Sequence, residues 1–115
     1  MEKELEILKL KKMLEDANIP FDFTDHMRIS YNGEPEYQII IRDKENPEVR
    51  LCDAVYHQFS YGYDQNLLEI MGGLTEEEKE IDSVLGWLTA EDVFERFKYC
   101  YEHNTDIFIE EDKGE

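Results

Sequence analysis

His57, Tyr61 and Asp64 come closest in this sequence to a reactive set. An imidazole can move a proton near neutral pH, a phenol or a carboxylate can orient it, and the three fall within one short stretch. Asp53 is a possible orienter for His57, but four residues on a strand span about 13 Å, beyond hydrogen-bond reach. His26 and His103 are remote in sequence, and no histidine has a second His, Cys or carboxylate at the helical spacing that singles out zinc. His26 falls in an expected turn. His103 falls at a helix C-terminus, where an imidazolium complements the dipole. GxSxG, HExxH, Walker and GxGxxG patterns are absent, as is a paired CxxC. A small enzyme or nucleotide-binding protein built around His57, Tyr61 and Asp64 is therefore an alternative only, and no catalytic residue, metal ligand or cofactor is assigned.

A second set offers binding rather than bond-making. Glu76, Glu77, Glu78, Glu80 and Asp82 are offset only by Lys79. Hard cations take oxygen ligands, but the ligand spacing and central glycine of an EF-hand loop are missing. The stretch is either a solvated acidic loop or a contact surface for protein. Phe59, Tyr61 and Tyr63 pose a similar choice, since tyrosine is common at contact hot spots while loop aromatics also fold back over the end of a core. As a partner-binding set we take Glu76, Glu77, Glu78, Glu80, Asp82, Tyr61, Tyr63 and Asp64.

The elements that must position these residues follow from periodicity. Ile7, Leu10, Leu14 and Ala17 repeat at helical spacing over residues 2–17, with Asn18 suited to a left-handed stop and Pro20 preventing continuation. From Phe21 the period becomes two. Phe21/Phe23 and Met27/Ile29/Tyr31 predict two short strands joined near Asp25-His26, Tyr37/Ile39/Ile41 a third, and residues 49–58 a fourth with a bulge near Cys52-Asp53. Residues 67–88 predict a hairpin of two strands around a long acidic tip, with one helical turn capped by Thr75 and Glu78. Thr89 opens a better capped helix over residues 89–103, with Val93, Phe94, Phe97, Cys100 and Tyr101 on one stripe.

Two amphipathic helices and several alternating strands define an α+β fold: a mostly antiparallel sheet of five or six strands with the N-terminal and C-terminal helices packed on one face. Ile40 and the phase slip after Leu51 support a rival arrangement with helices on both faces. Residues 1–109 form one domain and residues 110–115 a frayed acidic tail. In 115 residues no apolar run exceeds three, which excludes a membrane span and a signal-peptide core and places the chain in the cytoplasm. Cys52 and Cys100 are then expected as buried, unpaired thiols.

The formal net charge of −17 opposes direct binding to nucleic acid or an anionic membrane and favours a basic partner. Its distribution is uneven, with 14 acidic and 4 basic side chains in residues 72–115. Two segments, Leu67-Leu68-Glu69-Ile70-Met71-Gly72-Gly73-Leu74-Thr75-Glu76-Glu77-Glu78 and Val84-Leu85-Gly86-Trp87-Leu88-Thr89-Ala90-Glu91-Asp92-Val93-Phe94-Glu95-Arg96, resemble a family of small uncharacterised proteins encoded by phages and prophages of Gram-positive gut bacteria. The likeness covers roughly residues 50–103 and carries no activity over to any residue. It implies a context, the bacterial host cytoplasm, where small acidic phage proteins act on host machinery. The expected function is thus a non-enzymatic acidic interaction protein, a nucleic-acid mimic or host-defence inhibitor occupying the basic surface of a nuclease or regulator. The alternative of another class is a structural or oligomerising accessory protein with no basic target.

Overall fold

A computed structural model of the protein describes residues 4–29, 33 and 35–110. The first helix, α1 (Glu6–Asp16), buries Ile7, Leu10 and Leu14. Its end is set by Asn18, which adopts φ +59°. The Asn18 and Ile19 N–H groups donate to the Glu15 and Leu14 carbonyls at 3.1 and 3.0 Å, the paired bonds of a Schellman stop. Buried Ile19 completes the apolar contact that accompanies it.

Five strands follow: β1 (Asp22–Ile29), β2 (Pro35–Arg42), β3 (Arg50–Tyr56), β4 (Leu68–Met71) and β5 (Val84–Leu88). They form one antiparallel sheet in chain order, so β1 and β5 are its edges. Helix α2 (Glu76–Ile81) fills the tip of the β4–β5 hairpin, and α3 (Ala90–His103) follows β5. The helices α1 and α3 pack on each other and on the central strands. Between them and the sheet lies the core, with Ile39, Ile41, Ala54, Leu68 and Ile70 meeting Ile7, Leu10, Leu14, Val93, Phe97 and Cys100. Ile40 is buried but lies outside this cluster. It belongs to the other sheet face, and no helix among the described residues packs there, so the two-faced arrangement is not formed.

Two local departures from the sequence reading have physical causes. The two strands expected around Asp25-His26 are one, β1, with an irregularity between Asp25 and Ile29. That dipeptide has none of the Gly, Pro or Asn-Gly chemistry of a tight turn, so the chain absorbs the extra residues as a bulge. The phase slip of β3 is a bulge at Leu51, since Ile41 opposes Cys52 while Arg42 opposes Arg50. The described chain after α3 is also held in place. Phe108 is buried, its N–H donates to the Leu74 carbonyl at 2.9 Å, and Ile107 bridges to Leu74. The segment is therefore tied down through Phe108, while residues 111–115 of the expected tail lie outside the described residues.

Candidate functional site

The two parts of the expected partner-binding set lie at opposite ends of the β4–β5 hairpin. Leu68 pairs with Leu88 at one end and Met71 with Val84 at the other, about 10 Å along the strand. At the Met71 end, α2 begins with a capping box: the Thr75 hydroxyl accepts from the Glu78 N–H at 3.1 Å, and a Glu78 carboxylate oxygen accepts from the Thr75 N–H at 2.9 Å. That same carboxylate is gripped by Arg96 of α3 in a two-pronged pair, Nη1 to Oε1 at 2.7 Å and Nη2 to Oε2 at 3.0 Å. The Arg96 guanidinium holds Glu78 below the usual carboxylate range, with the Thr75 cap adding to the effect. Arg96 also donates to the Gly73 carbonyl at 3.0 Å and lies over the Phe108 ring. Glu78 is thus committed inside the molecule, and Lys79 is committed to Asp106 at 3.2 Å. Glu76, Glu77, Glu80 and Asp82 are exposed.

At the Leu68 end, the loop between β3 and β4 is drawn tight by its own polar groups. The Ser60 hydroxyl donates to the His57 carbonyl at 2.8 Å, and the Tyr61 N–H donates to Glu69 at 2.9 Å. Gly62 takes φ +98°, where a Cβ would press on Leu67 and the Trp87 backbone. Asn66, at φ +59°, reaches α1: its Oδ1 accepts from the Glu6 N–H and its Nδ2 donates to the Glu4 carbonyl, both at 3.1 Å. It supplies the N-terminal cap that Leu5 cannot. So fixed, the loop lays Tyr61 directly on Gly86, where any side chain would overlap the Tyr61 Cβ.

Trp87 is the consequence. It adopts φ +58°, a left-handed conformation that costs an ordinary residue about 1–2 kcal/mol. Its N–H donates to the Tyr61 carbonyl at 3.3 Å, and its ring stacks on Tyr61 with centroids 5.1 Å apart and planes 10° from parallel. The pair is displayed rather than hidden, Tyr61 being 47% and Trp87 55% exposed. Beside it opens a cleft of about 290 Å³ lined by both rings and by Gln58, Tyr63, Asp64 and Gln65. Tyr63 takes the core-covering role instead, packing against Tyr56 with ring centroids 4.6 Å apart and planes tilted by 35°, and so extending a row of rings through Tyr37 to Phe23. Asp64 is exposed and has no ion pair among the described residues.

The charge is segregated to match. Between Arg50 and Arg96 the chain holds eleven carboxylates and one cation, Lys79. Elsewhere cations are paired locally: Lys9 with Glu6 and Glu91, Lys11 with Glu15, Arg42 with Asp22, Lys98 with Glu102.

Of the residues of the enzyme alternative, Tyr61 and Asp64 line the cleft, and His57 is not among its lining residues. His57 Nδ1 accepts from the Phe59 N–H at 3.2 Å and so braces the loop. Asp53 sits on the open sheet face, its carboxylate accepting from Gln38 at 3.0 Å, and burial raises it above its ordinary range. His103 stacks on Tyr99, and the His26 side chain lies outside what the structure describes. Cys52 and Cys100 are both buried and free. Burial pushes the Cys52 thiol well up, while the neighbouring Cys52 lowers Cys100. Among the described residues, no group of three or more His, Cys, Asp or Glu is placed to hold a metal ion, and no helix is long and apolar enough to cross a membrane.

Two residues that shape the site escape a reading by periodicity. Trp87 sits in a strand whose apolar pattern gives it no special place, although a glycine inside a strand, Gly86, marks a bulge or a close approach. Arg96 lies off the apolar stripe of α3, and nothing in its spacing connects it to Glu78. No family of known proteins, no curated protein and no solved structure matches the chain.

Proposed function

We propose that this chain is a non-enzymatic acidic interaction protein whose β3–β5 half docks on a basic surface of a partner protein. The observation that carries the proposal is the segregation of charge: eleven carboxylates against Lys79 between Arg50 and Arg96. Of these, Glu78 is neutralised by a two-pronged arginine, and the exposed acids of α2 and Asp64 set the field. A field of one sign steers an oppositely charged partner and speeds its association. Grooves that hold lysine and arginine at phosphate spacing, as in a nuclease or a nucleic-acid-binding regulator, match it best. Inhibition of such a host protein in a phage context is the biological form of the same proposal.

The test is binding to a partner recovered on immobilised protein, measured at two salt concentrations and with competing duplex DNA or RNA. Higher salt and the competing nucleic acid should each weaken the complex. The combined variant Glu76→Gln, Glu77→Gln, Glu80→Gln and Asp82→Asn should slow association. An affinity indifferent to salt, to competitor and to these substitutions removes the electrostatic reading and leaves the accessory-protein alternative.

A further inference from the structure

We infer that Tyr61, Trp87 and Asp64 form a receptor for an arginine side chain of the partner. The inference rests on the basic-partner reading and names which cation is recognised and where.

Three observations converge on the cleft at the Leu68 end of the hairpin. The only tryptophan of the chain is held outside the core, in a left-handed conformation uncommon for a bulky residue, by a backbone bond to Tyr61. Gly86 and Gly62 leave the room that lets the two rings stack in the open. The cleft beside them carries the exposed, unpaired Asp64, and no lysine or arginine occurs in the sequence between Arg50 and Lys79 to occupy it. Backbone strain at an exposed aromatic pair marks a built surface, and the charge identifies its occupant.

A planar guanidinium can stack on an indole face and at the same time direct its N–H fork at a carboxylate. It also sheds water more readily than an ammonium does. Lysine offers only a compact, strongly hydrated charge, and a phosphate or an acidic peptide is repelled by Asp64 and Glu69. The polar lining from Gln65 supplies a further acceptor for guanidinium N–H groups. The acidic surface of α2, about 10 Å along the strand at the other end of the hairpin, attracts either cation alike.

Trp87, as the sole tryptophan, reports on the site directly by its fluorescence. Nona-arginine and nona-lysine peptides are titrated into the full chain at equal salt. Nona-arginine should perturb Trp87 emission and bind about five-fold or more tightly than nona-lysine. Asp64→Asn should bring the ratio toward one, whereas the combined α2 variant should weaken both peptides and preserve the ratio. Equal affinities, or a ratio that Asp64→Asn does not move, overturn the arginine receptor while leaving the electrostatic reading in place. A Trp87 signal given by a neutral oligosaccharide and not by nona-arginine overturns it in favour of a sugar platform. Failure of either peptide to bind at low salt overturns the basic-partner reading itself. Asp64 is exposed and unpaired, so the variant is expected to fold, which circular dichroism checks.

Discussion

The two ends of the β4–β5 hairpin carry comparable polar and apolar material and use it in opposite ways. At the α2 end the charge turns inward: Glu78 caps its own helix, takes both prongs of Arg96 and, through it, ties α2 to α3 and to the Phe108 segment. At the Tyr61 end the apolar surface turns outward, and hydrogen bonds hold two rings against the solvent. One end uses functional-looking acids for stability, and the other uses backbone strain for display. The acidic run that looks most like a site in sequence is therefore partly structural, while the inconspicuous Gly86-Trp87 pair is the better built surface.

The largest effect should come from the core that anchors the α2 end. Phe97 is completely buried on α3 beneath Gly73. Replacing it by Ala should cost about 3–5 kcal/mol in denaturant unfolding, the range for truncating a buried phenylalanine. A loss below about 1 kcal/mol would mean that this end does not hang on the core as described.

Next comes the ion pair itself. Arg96 and Glu78 have side chains only 15% and 29% exposed, between the regimes of surface and buried pairs. Arg96→Met should then cost about 2 kcal/mol. The pair also fixes a pH signature. Because the folded state holds the Glu78 carboxyl below its ordinary value of 4.5, its contribution is complete above that value and is lost as pH falls through the depressed one. Thermal unfolding midpoints should drop on acidification below about pH 4.5, and more shallowly in Arg96→Met. Asp53 works in the other sense: burial raises it, so its contribution is complete at low pH and is lost as pH rises through the raised value. Asp53→Asn should flatten that opposing limb.

How much of this was legible in sequence depends on range. The stop at Asn18, both threonine capping boxes, the strand phases of β2 and β3 and the stripe of α3 are local properties, and all are found. The expected sheet with two helices on one face follows, since two apolar stripes need one buried sheet face. What was not legible is long-range. Asn66 capping α1, Arg96 gripping Glu78 and Tyr61 seated on Gly86 join residues that only the meander brings together. A charge count cannot tell that Glu78 already has an arginine or that Tyr63 packs inward against Tyr56.

A smaller effect on stability should separate display from scaffold. Trp87→Gly removes a left-handed penalty of about 1–2 kcal/mol and forfeits a ring pair of about 0.5–1.5 kcal/mol. The net change should lie within about 1.5 kcal/mol of zero, measured in denaturant. Partner binding should nonetheless fall at least about ten-fold, as for a central hot-spot residue. A strong destabilisation would place Trp87 with the scaffold and erase the contrast between the two ends.

The smallest effect is expected where the charge is densest. Glu76 and Glu77 stand in the first turn of α2, where the dipole favours them, whereas Glu80 and the terminal Asp82 stand at the last turn, where it does not. All four are exposed, and Asp82 has one further local task, accepting from the Ser83 N–H at 2.7 Å. Neutralising all four therefore removes two small favourable terms and two small unfavourable ones. The sum should be about 0.5 kcal/mol or less in either direction. Glu78→Gln, in the same helix and of the same chemistry, should cost more than the other four together, because only there does an arginine depend on the carboxylate. Denaturant titrations of the two variants side by side decide it. Equal losses would show that Glu78 belongs with its exposed neighbours, and that the acidic end is as free to meet a partner as the aromatic one.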